Sequence, residues 1–496
     1  MEYTATATAT AMGLTKSGEK VTASASASAS SNISYEDAVQ QAKNIAFQIA
    51  QSDLQTTTDI IEQTITIIEN DTLVDIDKFS IYSHFNSTSE LNNFQLTQPS
   101  TSSPYYYSIQ NNKSNATYTS LGSGINGPIT SIAIDSNNNV YVGGQFNSSG
   151  SFPVNNIAKW NGSTWSSLSI GLNAAVACLA IDSDDNLYAG GNFGYAGGVS
   201  ARHIAKWNPN TETWSALGDG INNLVASIAF DSNDNVYVGG TFTQAGGVSV
   251  NNIAKWNGTE WSTLGTGITY DIVGGVRSIV VDSYDNVYAG GSFTIAGNVA
   301  VNNIAKWNPL TNEWSTLGSG FNNIVTSLVI DPNDNIYAGG YFGTAVNSTG
   351  SISVNRVAKW DGNMWSALGN GIGGIVVSLA LDLSNNLYAG GNFATAGTSR
   401  AIDIAKWNGV EWSELGDGTN QVVAAIKVDS NNNIYAGGSF TAAGGLPINN
   451  IVQINYDDIY IKNINGSTLY LKYNGIDSRT NLLFYNENIN LYSQIN

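Results

Sequence analysis

Short apolar runs alternate with polar turn residues along most of this chain, and the runs return in a fixed order. In the first full copy they are Ser131 to Asp135 (SIAID), Val140 to Gly144 (VYVGG), Asn156 to Asn161 (NIAKWN) and Thr164 to Leu168 (TWSSL). Each is β-branched or aromatic and is bounded by Gly, Asn, Asp or Pro, which is how a short strand reads. The second run is the most constant: an aliphatic residue, Tyr, Val or Ala, Gly-Gly, then Phe two residues later. Its tyrosines are Tyr141, Tyr188, Tyr237, Tyr288, Tyr337, Tyr388 and Tyr435, spaced by 47, 49, 51, 49, 51 and 47 residues. Four strands in a period of that length predict one blade of a β-propeller.

Counting each strand type predicts how the ring closes. The innermost and the Tyr-Gly-Gly types each appear seven times, whereas the outermost type starts early, at Tyr118-Thr119-Ser120-Leu121, and last appears at Trp412 to Leu415. The final blade therefore needs the first strand, and the predicted fold class is an all-β, seven-bladed propeller with a split blade and no free sheet edge in the ring. All twelve tryptophans fall at two repeat positions. Trp160, Trp207, Trp256, Trp307, Trp360 and Trp407 occupy one strand; Trp165, Trp214, Trp261, Trp314, Trp365 and Trp412 occupy the next, with Ile454 and Tyr118 at the two remaining places. Packing between blades accounts for all of them.

Outside the repeat the pattern changes. Residues 1–33 carry TATATATA and TASASASASS tracts, whose small polar side chains bury too little to offset ordering and predict a flexible tail; the alternation is also the strand period. Over 34–70, Ser34 as N-cap and Ala38, Ala42, Ile45 and Ile49, followed by Ile61, Ile65 and Ile68, predict an amphipathic helical segment able to serve in self-association. Residues 71–115 read as a connector and 116–455 as the propeller. In 456–496, two alternating runs around Asn465-Gly466 predict a hairpin, with Leu482 to Tyr485 as a third run.

Charge narrows the partners. Only 11% of residues are charged, and acids outnumber bases 38 to 19; phosphate backbones need clustered Lys and Arg, so nucleic acid is excluded as a partner class. There is no run long and apolar enough for a membrane span, and the first twenty residues lack the apolar stretch of a secretory signal. The single Cys178 sits in an apolar run as a buried thiol.

The stretch Tyr188-Ala-Gly-Gly followed by Ile204-Ala-Lys-Trp-Asn-Pro-Asn-Thr-Glu-Thr-Trp214 resembles a kelch repeat, as does Trp307-Asn-Pro-Leu-Thr-Asn-Glu-Trp314. With its Asp-x-x-x-Asn turns and the Phe after Gly-Gly, the chain is most similar to the kelch-like arrays of bacterial surface proteins and giant viruses. The resemblance implies a propeller with a protein or glycan interaction surface and an association with a virion or particle surface; it implies no particular activity.

The recurring turn from Asp135 to Asn139 offers oxygens to calcium, but it lacks the Gly and Glu of an EF-type loop, and a hairpin turn explains it better. Lys159 and its equivalents before each Trp read as snorkelling between blades toward the turn aspartates. Two histidines and one cysteine supply no metal site, and no cofactor is implied. Candidate binding residues lie where the repeat breaks, in the loops of one face: Tyr270, Asp271 and Arg277 around the longest loop, then Arg202, His203, Arg356 and Arg400, with Asn347 to Ser351 lengthening another loop. The sequence reading is a non-catalytic binding or structural scaffold. The alternative is a carbohydrate-active enzyme with a carboxylate pair at the ring mouth.

Overall fold

The computed structural model describes residues 116–270 and 274–456 throughout, together with the strands Tyr3–Thr15, Lys20–Ser31, Ile60–Glu69, Thr72–Leu73, Asp458–Ile464, Ser467–Tyr473, Leu482–Leu483 and Gln494–Ile495. Residues 116–456 form seven four-stranded antiparallel sheets, each running from an inner strand to an outer one. The first holds Ile129–Ile134, Val140–Gly144, Ile157–Trp160 and Trp165–Ser166. The seventh holds Val423–Val428, Ile434–Gly438 and Ile451–Tyr456, and its outer strand is Ala116–Ser120, with Ile454 opposite Tyr118.

Three series of contacts join neighbouring sheets. The first glycine of each Gly-Gly pair leaves room for the neighbouring inner strand: a Cβ on Gly143 would lie 2.5 Å from Val176 of the second sheet, and one on Gly437 would lie 2.7 Å from Ile129 of the first. The outer-strand indoles point backward, Trp165 donating to the Leu121 carbonyl (2.7 Å), Trp214 to Leu168 (3.1 Å) and Trp412 to Leu368 (2.8 Å). In the seventh sheet the Tyr118 hydroxyl makes the same contact with Leu415. On the inner strands, Ser131 accepts the Leu179 amide at 2.9 Å, and Ser227, Ser278, Ser327 and Ser378 repeat this. These hydroxyls satisfy amides that an innermost edge would otherwise leave without a ladder partner. The core is accordingly seven clusters, each shared by two sheets; the one around Ile129 and Ile132 includes Ala425, Tyr435 and Ile451 of the seventh sheet.

The N-terminal tracts differ from the tail reading. Tyr3–Thr15 pairs with Lys20–Ser31, from Tyr3 opposite Ser31 to Leu14 opposite Lys20. Ile60–Glu69 lies against the other edge of the first strand, so Ile61, Ile65 and Ile68 belong to a strand and not to a helix. Alternating Thr and Ala, and the β-branched Ile-Thr run, share the strand period and outweigh the weaker helical spacing. The start of the helical reading, 34–59, and most of the connector lie outside the described residues. Asp458–Ile464 pairs with Ser467–Tyr473 around the Asn465-Gly466 position, and Leu482–Leu483 pairs with Gln494–Ile495.

Candidate functional site

On the lower face each inner strand turns into the next through Asp-x-x-x-Asn. Asp231 accepts the Asn233 and Asn235 amides at 3.0 Å each, the Asn235 side chain at 2.8 Å, the Tyr237 hydroxyl at 3.2 Å and the Lys255 ammonium at 3.1 Å. Burial pulls its carboxyl upward, but these donors outweigh burial and leave the pKa below the usual carboxylate range. The same ammonium lies 5.0 Å from the centre of the Tyr237 ring. Lys159, Lys206 and Lys306 pair likewise with the turn aspartate of their own blade, so the ion pairs run within blades and not between them. The left-handed residue is the one before the Asn (Asn138, Asp185, Asp234, Asp285, Asp334, Asn385, Asn432), while the Asn amide itself donates to the Asp. Those left-handed residues link the turns: Ser136 donates to Asp185, Ser232 to Asp285, Ser283 to Asp334 and Ser430 to Asn138 of the first sheet. This arrangement consumes the turn carboxylates in architecture.

The upper face carries the loops that enter each inner strand and a hairpin between the second and third strands. Five entering loops hold their hairpin with an asparagine whose Oδ1 accepts two successive amides: Asn126, Asn173, Asn222, Asn322 and Asn420. Thr269 stands at that place in blade four and Gly373 in blade six. The hairpins expose apolar side chains at matching positions, among them Phe152 (43%), Val199 (38%) and Leu446 (49%), and Tyr195 (54%) stands exposed on the other strand of its hairpin.

The candidate residues separate into two groups. Tyr270, 36% exposed, follows Thr269 directly in the entering loop of blade four, and Arg277 lies seven positions on in the inner strand of the same blade. Asp271 lies outside the described residues. Arg202 and His203 in blade two, Arg356 in blade five and Arg400 in blade six end different hairpins, so the structure does not gather them. His203 has φ 64° and its Nδ1 is 2.9 Å from the Gly191 carbonyl. It occupies the seat that Asn156, Asn252, Asn303 and Asn450 fill elsewhere, each donating to a carbonyl of the adjacent entering loop. Arg356, φ 73°, holds this seat in blade five. Asn347 is buried and brackets Trp365, donating to its carbonyl at 2.9 Å and accepting its amide at 2.6 Å, so the lengthened loop is pinned to the outer strand.

Seven positions along the chain connect to the axis in a way that repeat counting alone does not show. Each inner strand has a one-residue bulge, at Thr130, Ala177, Ala226, Arg277, Thr326, Val377 and Ala424. Thr130 and Thr326 turn their hydroxyls along the axial wall to the Val176 and Val376 carbonyls, at 2.6 and 2.7 Å. Arg277 stands exposed at this bulge in blade four. Lys427, three positions beyond the bulge in blade seven, is a second inner-strand cation that motif reading passed over; only aligning the copies, which have Ala or Val there, picks it out.

The family model described as the Rax2 C-terminal beta propeller domain matches residues 105–266 and 216–319. The chain carries a β-propeller. Among solved structures it is similar to the extracellular domain of a one-component system from B. thetaiotaomicron (12% identity, TM-score 0.47, 72% of this chain and 46% of that one). The extracellular domain of a hybrid two-component system of the same bacterium is similar too (12%, 0.48, 75% and 47%), as is U3-55K (12%, 0.46, 68% and 97%). The chain thus spans under half the length of the first two. No curated protein matches it in sequence. No helix among the described residues is long and apolar enough to cross a membrane.

Proposed function

We propose that this propeller is a non-catalytic binding or structural scaffold, a closed ring of seven blades completed by Ala116–Ser120, which engages a protein or glycan through its upper face. The observation that carries this reading is where the departures fall. The lower turns repeat almost unchanged, whereas the upper face exposes hairpin apolar residues and, in blade four, replaces the asparagine clamp with a longer loop bearing Tyr270. Aromatic residues on a rigid rim are suited to stack on sugar rings or to anchor in a partner's pocket. The kelch-like character of the repeat and an association with a particle or cell surface belong to the same proposal. So does self-association through the N-terminal segment: in sedimentation the full chain is to exceed monomer mass where a chain beginning at Ser114 does not, and equal masses would remove it.

A glycan array probed with the full chain and with Tyr270→Ala tests the recognition reading. Binding to a defined glycan class that the substitution abolishes supports it. Steady turnover of any glycan would overturn the non-catalytic assignment in favour of a carboxylate pair at the ring mouth.

A further inference from the structure

The seven inner strands wall an axial lumen, and two residues of each strand decide its character. At the bulge these are Thr130, Ala177, Ala226, Arg277, Thr326, Val377 and Ala424; three positions below they are Ala133, Ala180, Ala229, Val280, Val329, Ala380 and Lys427. The wall at these two levels is neutral except for one guanidinium in blade four and one ammonium in blade seven, and neither level holds a carboxylate. At the lower level Ala133 and Ala380 are buried against the next blade, whereas Lys427 is exposed. Lys427 is the fifth of the six residues of the inner strand Val423–Val428, and its exposed side chain leaves that interface on the side of the lumen. Desolvation lowers the pKa of its ammonium. Among the described residues no carboxylate lies within ion-pair distance of Arg277 or Lys427, in contrast with Lys159, Lys206, Lys255 and Lys306, each paired with an aspartate.

A cation on an inner strand with no carboxylate in ion-pair distance among the described residues is costly to keep, and the sister blades do without one. We propose that the lumen is a binding site for an oxyanion, a phosphate or a carboxylate, which enters from the upper face, meets the Arg277 guanidinium at the mouth and is held by Lys427 below it. The forked guanidinium suits two oxygens of such a group, and the ammonium supplies a point charge. The net charge of −19 makes the rest of the surface a poor attractor for anions, so capture falls to these two side chains. The site opens beside the blade-four loop that carries Tyr270.

The full chain, at low ionic strength in an uncharged-buffer medium, is titrated calorimetrically with inorganic phosphate and separately with a hexaglutamate peptide. Arg277→Ala and Lys427→Ala install residues the sister blades already carry (Ala177, Ala226 and Ala424; Ala133, Ala180 and Ala380), so both variants are to melt like the parent. Saturable phosphate binding weakened about 10-fold or more by each, and less than about 2-fold by Arg400→Ala on the outer hairpin, is the expected result. Tighter binding of the peptide with the same losses assigns the site to acidic side chains of a partner; tighter phosphate binding assigns it to a free ion. Absence of saturable binding of both probes at about 10 mM, well beyond the range of a charge-assisted two-point site, overturns the proposal. Binding that both alanine substitutions leave unchanged overturns it equally.

Discussion

The lower rim of the ring and the blade-four mouth of its upper face descend from the same repeat, yet they use their polar residues in opposite ways. Around the rim, Asp231 and its equivalents are surrounded by donors from their own turn, tyrosine and lysine, and the turns are tied to one another by serines such as Ser136 and Ser232. At the blade-four mouth, the clamp asparagine is replaced, Tyr270 is exposed, and Arg277 has no acidic partner among the described residues. Where every copy must meet its neighbours the residues converge; where one copy stands free they diverge. The lower belt is itself interrupted once: Pro332 has neither amide hydrogen nor hydroxyl to offer Asn385, whereas Leu383 still reaches Asn432 through its amide at 3.3 Å.

The sharpest way to break this comparison is at the seventh sheet, whose outer strand is Ala116–Ser120. Tyr118 stands in the place of the outer-strand tryptophans, buried and hydrogen-bonded to Leu415, so Tyr118→Ala is to destabilise the ring by about 3–5 kcal/mol in urea unfolding. A loss below about 1 kcal/mol would mean that the outer strand contributes little to stability. Removing a rim carboxylate should cost less: Asp231→Ala deprives several buried donors of their acceptor and is to lose about 1–3 kcal/mol by the same measurement.

Acid and alkali probe the same rim without mutation. Because the folded pKa of Asp231 is depressed, its contribution is present above the unfolded value of about 3.9 and disappears as the pH falls through the folded one. Burial, and then the nearby Asp282 charge, push the Tyr288 hydroxyl upward, so its contribution is present below the unfolded value of about 10 and is lost as the pH climbs beyond it. Melting temperatures measured across pH are therefore to be flat in the middle and to fall at both ends. A steady rise toward pH 3 would contradict the assignment for the aspartates. The smallest effect is expected at Cys178, which replaces a serine of the inner series and whose thiol burial pushes up to about 12. A thiol reagent at pH 8 is to leave it unmodified in the folded protein and to label it once the chain is unfolded.

Much of this was readable from periodicity. The Tyr-Gly-Gly spacing announced the blades, and the positions of Tyr118 and Ile454 pointed to strands that meet in the seventh sheet, since strand alternation and aromatic placement are properties of single copies. Other features depend on what faces what. His203 stood out with Arg202, Arg356 and Arg400 as isolated cations on the variable loops of one face; its left-handed backbone and its contact with the Gly191 carbonyl put it in the seat that asparagine fills in other blades. Lys427 was invisible as a motif, because a lone lysine in a strand acquires meaning only when six other inner strands place alanine or valine at the same position. The N-terminal isoleucines satisfied a helical spacing and a strand composition at once, and pairing with a Thr-Ala strand decided between them.

The most direct test of the division between architecture and recognition needs no ligand. Trp214 donates to Leu168 across a blade seam, while Arg277 stands at the axial mouth. Side by side in urea unfolding, Trp214→Ala is to lose about 3–5 kcal/mol and Arg277→Ala to stay within about 0.5 kcal/mol of the parent. Equal losses in the two variants would make Arg277 part of the scaffold and would contradict the account.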